Sequence, residues 1–168
     1  MKTLKHILVI ALLTIFTVLI TTYIDDNNRF LPIFVVLIIG VFMFNLMFRK
    51  SLSFKNYFIS KYNLFTTKTK FEIKYNIPKE LMFEKVIEVI NESNFKIVDT
   101  DTNKLDILAT SSVSFMSWGE NLYLSFETKG METVMSVCVS TVFGMYSWGK
   151  NEQNYKDLLK EIENSLII

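Results

Sequence analysis

Hydrophobic positions dominate the first 50 residues of the chain and fall into two runs. Residues 7–24 carry no charged side chain, and residues 30–48, which follow a polar turn at 25–29, carry none either. An α-helix rises about 1.5 Å per residue, and about 20 apolar residues cross a hydrocarbon core of about 30 Å. The pattern therefore predicts two transmembrane helices, at about 7–24 and 30–48, joined as an antiparallel hairpin within residues 1–50.

Two other interpretations of these runs have to be weighed against the hairpin. Lys2 and Lys5 before an apolar run are typical of a cleaved signal peptide, but no small-x-small cleavage site lies near residues 21–24. Two buried helices of a globular core would need cover on all sides, and the rest of the chain is too short to provide it. The hairpin is therefore the favoured interpretation.

The basic residues predict how the hairpin is oriented. Those that flank the two runs are Lys2, Lys5, Arg49, Lys50, Lys55 and Lys61, whereas the turn carries one Arg and two Asp. Because Lys and Arg near helix ends stay on the cytoplasmic side, we expect a multi-pass protein of the inner membrane with both termini in the cytoplasm. The single cysteine, Cys138, fits a reducing compartment.

A basic and aromatic connector, residues 51–69, follows the second run. Residues 49–74 hold seven basic side chains and one acidic one, a net charge of +6, whereas residues 75–168 hold eight basic and fourteen acidic, a net charge of −6. An aromatic stripe with helical spacing either lies at the membrane surface or packs on the domain that follows. The candidate membrane-surface contacts are Arg49, Lys50, Phe54, Lys55, Tyr57, Phe58, Lys61 and Tyr62.

Residues 70–168 change to the patterns of a small α+β domain. Apolar residues alternate with polar ones in five segments, at about 71–75, 95–99, 105–115, 122–127 and 135–140. Stripes with helical spacing follow Pro78 and recur at 155–166. The order β-α-β-β-β-β-α predicts an antiparallel sheet with two helices on one face.

The other face of the predicted sheet is rich in small hydroxyl side chains. They are Thr110, Ser112, Ser114, Ser125, Ser136 and Ser140. Such a face is either solvated or open to a binding partner.

A short repeat supplies the candidate binding site. The segments 117–121 and 147–151 both read Ser-Trp-Gly-x-Asn and contain both tryptophans of the chain. In an antiparallel sheet they converge at one end, where they either form a small ligand or partner site or cover the open end of the core. The candidate site residues are Trp118, Glu120, Asn121, Trp148, Lys150 and Asn151.

Motifs for catalysis or for cofactor binding are missing from the sequence. The chain has one cysteine and one histidine, and its five glycines form no phosphate-binding loop. The carboxylates spaced along 80–92 are explained by hydration of an exposed helix face. We therefore predict no catalytic residue, no cofactor, no metal site and no enzyme activity.

The sequence favours an integral membrane protein with a cytoplasmic α+β domain that binds a partner or acts as an accessory subunit. The alternatives are an oligomeric pore or transport subunit, and a membrane-anchored sensor or carrier of a lipid or small apolar ligand. The predicted partners are the lipid bilayer and a protein partner or a second copy bound through the hairpin, with no nucleic acid. The high content of Lys, Asn and Ile is typical of a bacterial protein from an AT-rich genome.

Overall fold

A computed structural model describes residues 30–114 and 117–166, together with Thr14, Val18 and Thr22. The chain divides into two units, with the boundary between Met47 and Phe48. The two units are described separately.

The first unit contains helix α1, Phe30–Phe48, except for its last residue, Phe48, which belongs to the second unit. Many of its apolar side chains are exposed within the chain, among them Phe30, Leu31 and Phe34. Asn45 near its C-terminus is fully buried, and its Nδ2 donates a hydrogen bond to the carbonyl of Val41 at 2.8 Å. The polar side chain is therefore partly satisfied by its own helix.

The predicted transmembrane hairpin is contradicted by the structure. Within the part of the chain that the structure describes, no helix combines the length and the apolar character that a membrane crossing needs. The predicted helix at 7–24 lies outside the described residues, apart from Thr14, Val18 and Thr22.

The predictions that depended on the hairpin are wrong for the same reason. They are the integral membrane protein, its placement in the inner membrane with both termini in the cytoplasm, the oligomeric pore, and the membrane-anchored carrier. Each of them required helices that cross the bilayer.

The second unit is built on a five-stranded antiparallel sheet with the strand order β1-β5-β4-β3-β2. The strands are β1, Lys68–Tyr75; β2, Lys96–Asp101; β3, Asp106–Thr110; β4, Glu120–Lys129; and β5, Glu132–Thr141. The helices are α2, Lys55–Ile59; α3, Lys79–Glu92; and α4, Lys150–Leu166, with a 3-10 turn at Leu52–Phe54. The predicted α+β domain with an antiparallel sheet is confirmed.

One face of the sheet, the inner face, carries the main core. Alternate strand residues such as Leu122, Leu124 and Val137 are fully or almost fully buried against the apolar stripe of α3, which includes Val86 and Ile90. Alternation along a strand sends successive side chains to opposite faces, so that the sequence pattern alone selects this set.

The opposite, outer face is covered by the segment 49–59, which we call the strap. Phe58 from α2 is fully buried there and packs on Leu108, Tyr123 and Cys138. The Phe58 and Tyr123 rings are stacked with centroids 6.4 Å apart. The hydroxyl residues Thr110, Ser125, Ser136 and Ser140 share this face. The strap packs there because these three apolar side chains interrupt the hydroxyl surface.

The buried ring of Phe58 predicts a large cost when it is removed. We expect Phe58→Ala to lower the free energy of unfolding by about 3–5 kcal/mol, because it leaves a cavity between the strap and the sheet. Urea unfolding followed by circular dichroism measures the change. The matched control is Tyr57→Ala, whose side chain is 40% exposed; a loss as large as that of Phe58→Ala would contradict this account.

Candidate functional site

Three loops meet at one end of the sheet, which we call the aromatic end. They are the segments 60–67, before β1; 111–119, between β3 and β4; and 142–149, between β5 and α4. The amide of Val142 donates to the carbonyl of Gly119 at 3.1 Å, and the amide of Gly144 donates to the carbonyl of Phe65 at 2.9 Å. The two Ser-Trp-Gly-x-Asn segments therefore lie at the same end of the sheet.

Glu120, at the start of β4, fastens this end to the last helix. Its side chain is 1% exposed and accepts hydrogen bonds from Ser111 Oγ at 2.5 Å and Asn154 Nδ2 at 2.7 Å, as well as from Ser117 Oγ. The positive charge of Arg49 interacts with the carboxylate of Glu120, and the Arg49 guanidinium donates a hydrogen bond to the carbonyl of Trp118 at 3.3 Å. Burial lowers the pKa of Arg49, and the carboxylate of Glu120 partly offsets that effect. The carboxylate is thus occupied by structural donors.

The two asparagines of the repeat are buried. Asn121 Nδ2 donates to the Tyr123 hydroxyl at 3.3 Å, and Asn151 Nδ2 lies 3.3 Å from the carbonyl of Thr67 and 3.4 Å from Thr69 Oγ1. In both, the Oδ1 atom has no hydrogen-bond partner among the described residues. The Asn121 amide therefore links two side chains on the same face of β4, and the Asn151 amide links α4 to β1 and the residue before it.

The tryptophans, in contrast, point outward. Trp118 is 54% exposed and Trp148 is 78% exposed. Trp148 has a backbone φ of +50° and packs on Tyr146 with ring centroids 6.3 Å apart. Lys150 donates to Gln153 at the helix surface. The structure therefore brings the six predicted residues to one end, but divides them into a buried polar set of Glu120, Asn121 and Asn151 and a surface set of the two tryptophans and Lys150.

A second candidate site, a cleft that the sequence analysis missed, lies where the strap meets the outer face. Its volume is about 170 Å³. The side chains that bear its chemistry are Lys55, Lys70, Glu72, Tyr123, Ser125, Ser136 and Cys138, with Ile59 as an apolar wall. Alternation along β1, β4 and β5 could have placed the strand residues on one face, but nothing in the pattern showed where the strap would leave a gap.

Strand register sets the order of groups on the floor of the cleft. Cys138 of β5 lies between Lys70 of β1 and Tyr123 of β4. In the next row, Ser136 lies between Glu72 and Ser125. Within a row, cross-strand neighbours are about 4.5–5.5 Å apart at Cβ. The two rows are about 6.6–6.8 Å apart along the strands, so that one small ligand can reach both.

Lys55 reaches over the floor from the strap. Its Nζ lies 3.0 Å from Asp106 Oδ1, in an ion pair whose side chains are 22% and 17% exposed. This ion pair holds the strap against the first residue of β3.

The Cys138 thiol and the Tyr123 phenol stay neutral at physiological pH. Burial raises the pKa of the thiol, with a smaller opposing effect from the positive charges of Lys70, Lys68 and Lys55. Burial also raises the pKa of Tyr123 well above its usual range. A neutral thiol is a weak nucleophile and a neutral phenol is a hydrogen-bond donor, so that this arrangement is suited to binding.

The residues predicted to contact a membrane surface are distributed along the strap and the loop that follows it. Phe58 is buried, and the Phe54 ring packs on Phe48 with centroids 4.5 Å apart. Tyr57 and Tyr62 are 40% and 79% exposed, and Lys61 lies 5.0 Å from the centre of the Tyr62 ring. The other three are Arg49 at the aromatic end, Lys55 in its ion pair and the exposed Lys50.

No protein-family model and no curated protein matches the chain. Among solved structures, the chain is similar to the crystal structure of Ara h 8.0201, with 10% identity and a TM-score of 0.48, over 61% of this chain and 98% of that one. It is also similar to the crystal structure of a protein from Thermus thermophilus, TTHA0849, with 13% identity and a TM-score of 0.42, over 60% and 97%. Neither similarity is strong enough to carry a function over.

No metal centre forms in the part of the chain that the structure describes, since it holds no suitable group of three His, Cys, Asp or Glu side chains.

Mutations in the buried and the exposed parts of the candidate site at the aromatic end should change the free energy of unfolding by different amounts. We expect Glu120→Ala to lower the free energy of unfolding by about 1–3 kcal/mol or more, because it leaves buried donors unpaired. Trp118→Phe should change it by less than about 0.5 kcal/mol, since the side chain is largely exposed. Thermal unfolding compares the two; an equal loss in both would contradict the assigned roles.

The raised pKa of Cys138 predicts a slow thiol reaction. Because the thiolate is the reactive form, we expect labelling by iodoacetamide at pH 8 to be slower than in guanidinium, with a pH midpoint above that of a free cysteine. The raised pKa also means that the contribution of this group to stability is complete below about pH 8.5 and is lost as the pH rises further. Equal labelling rates in folded and unfolded protein would show that the thiol is not sheltered.

Proposed function

We propose that the protein is a binding domain that holds a small organic anion, such as a short carboxylate, in the cleft between the strap and the outer face. The observation that supports this most is a group of open donors on the floor of the cleft. Lys70 forms no ion pair with another described residue, and the hydroxyls of Ser125 and Ser136 have no hydrogen-bond partner there.

The open donors at the cleft favour an anion. The ammonium of Lys55 is matched by Asp106 at 3.0 Å, whereas that of Lys70 forms no ion pair with another described residue and has the carboxylate of Glu72 in the neighbouring row. With Asp106 counted, these groups carry two positive and two negative charges, so that the preference comes from the unpaired ammonium and hydroxyl donors. A carboxylate that accepts from an ammonium and from two hydroxyls gains charge-assisted hydrogen bonds, which are about twice as strong as neutral ones.

Size limits the ligand to a small molecule. A volume of about 170 Å³ lies below the range of about 300–1,000 Å³ that is usual for pockets that hold drug-sized ligands. Ile59 offers an apolar contact at the strap side. These features suit an anion with a short hydrocarbon part, and the space is too small for a long acyl chain.

Titration calorimetry with sodium butyrate tests the proposal, with choline chloride as a cation of similar size. We expect butyrate to bind and choline not to bind. Lys70→Met should weaken butyrate about tenfold, because a charge-assisted hydrogen bond contributes about 1.4 kcal/mol or more.

The matched control for Lys70→Met is Lys74→Met. Lys74 lies on the same strand and the same face but outside the cleft, where it pairs with Glu132 at 2.8 Å. Equal loss of binding in both variants, or binding of choline in place of butyrate, would overturn the proposed function.

A further inference from the structure

We propose that the aromatic end of the domain docks on an anionic lipid surface. This contact lies at the surface and requires no helix that crosses the bilayer. It is independent of the cleft, which lies on the outer face of the sheet.

The first argument is the exposure of large side chains on loops that touch one another. Leu64 is 73% exposed, Met145 is 69% and Tyr146 is 73%, next to Trp148 at 78% and Trp118 at 54%. Exposed apolar groups scattered singly are ordinary on protein surfaces, but a contiguous group marks an interaction site.

The loops that carry these side chains are held together. Thr66 forms a β-bridge with Gly144, and the rings of Phe65 and Phe143 stack with centroids 6.4 Å apart. Together with the hydrogen bond from the amide of Val142 to the carbonyl of Gly119, these contacts join the three loops to one another. The aromatic side chains are therefore presented by a supported surface.

The second argument is the distribution of charge along the sheet. The segments 54–71, 107–119 and 133–151, which include the three loops, contain no Asp or Glu, and they contain Lys61 and Lys150 near the exposed rings. The turns at the opposite end carry acidic residues as well as lysines, and Asp101 and Glu132 are paired there with Lys104 and Lys74. An anionic surface attracts the first end, whereas the paired charges at the second end gain little from it, so that the field favours docking through the aromatic end.

The chemistry of the exposed side chains favours lipid over protein. Tryptophan and tyrosine combine an apolar ring with a polar N–H or O–H, which suits the boundary between headgroups and acyl chains. The exposed residues lie on three loops, with lysines beside them, whereas a peptide partner would be expected to need a groove. Lysine side chains keep their charge at the headgroups while the rings insert.

Both tryptophans of the chain lie in this surface and report on it directly. We expect the full-length protein mixed with vesicles of phosphatidylglycerol and phosphatidylcholine to show blue-shifted emission and a fall of about twofold or more in acrylamide quenching, because indole that enters the interface leaves water. Brominated phosphatidylcholine in these vesicles should quench both indoles. The readout is local to each indole and does not depend on what else holds the chain to the vesicle.

A matched control places a reporter at the opposite end of the domain. Met131, in the turn between β4 and β5, is 101% exposed. In the variant Trp118→Phe/Trp148→Phe/Met131→Trp, we expect acrylamide quenching to be the same with and without vesicles.

Four outcomes would overturn the proposal. The first is unchanged quenching of Trp118 and Trp148 on addition of vesicles, and the second is equal protection of the Met131→Trp reporter. The third is protection without vesicles that grows with protein concentration, which would assign the surface to a second copy of the chain. Loss of protection in Lys61→Gln/Lys150→Gln supports attraction of the two lysines to anionic headgroups. The fourth outcome, full protection of the indoles on vesicles of pure phosphatidylcholine, would refute that attraction.

Discussion

The domain depends on the fact that its sheet carries apolar side chains on both faces. On the inner face, residues such as Leu124 and Val137 require the two long helices. On the outer face, Leu108 and Tyr123 require a second cover, and Phe58 provides it. Burial of apolar area is the main favourable term in folding, so that a sheet of this kind is incomplete without both layers. The strap is therefore a third layer of the fold, and the edge of that layer forms the cleft.

Much of the α+β domain could be predicted from the sequence, because alternation along a strand follows directly from which face is buried. The third strand shows where this inference fails. Alternation predicted a strand at about 105–115, but β3 ends at Thr110. Beyond Thr110 the pairing continues only in separate contacts, a hydrogen bond from the amide of Ser111 to the carbonyl of Glu120 and a bridge between Ser114 and Ser117. Alternation along the sequence does not show where a regular ladder gives way to such separate contacts.

The strap and the N-terminal runs show a different limit. An aromatic stripe with helical spacing has the same appearance whether it faces lipid or protein, and Phe58 was equally compatible with both interpretations. Apolar content likewise suggested a membrane hairpin, which the described residues do not support. At the candidate site, the meeting of the two tryptophan segments followed from the antiparallel order. The burial of Asn151 and the exposure of Trp148 did not follow from that order, since they depend on which side of each loop packs against the domain.

The pairing of β1 with β5 has a consequence for how the chain is made. β1 begins at Lys68, and its partner strand, β5, ends at Thr141. The first strand to leave the ribosome therefore cannot pair until the last one has been synthesised. The hairpin of β4 and β5 closes through a short turn and is ready to form as soon as it emerges, and it then serves as a template on which earlier segments assemble. The strap, synthesised before any strand, therefore settles late, when its seat on β3, β4 and β5 exists. Nascent chains of this protein consequently expose Phe58 for most of their synthesis and are at that stage suited to recognition by chaperones.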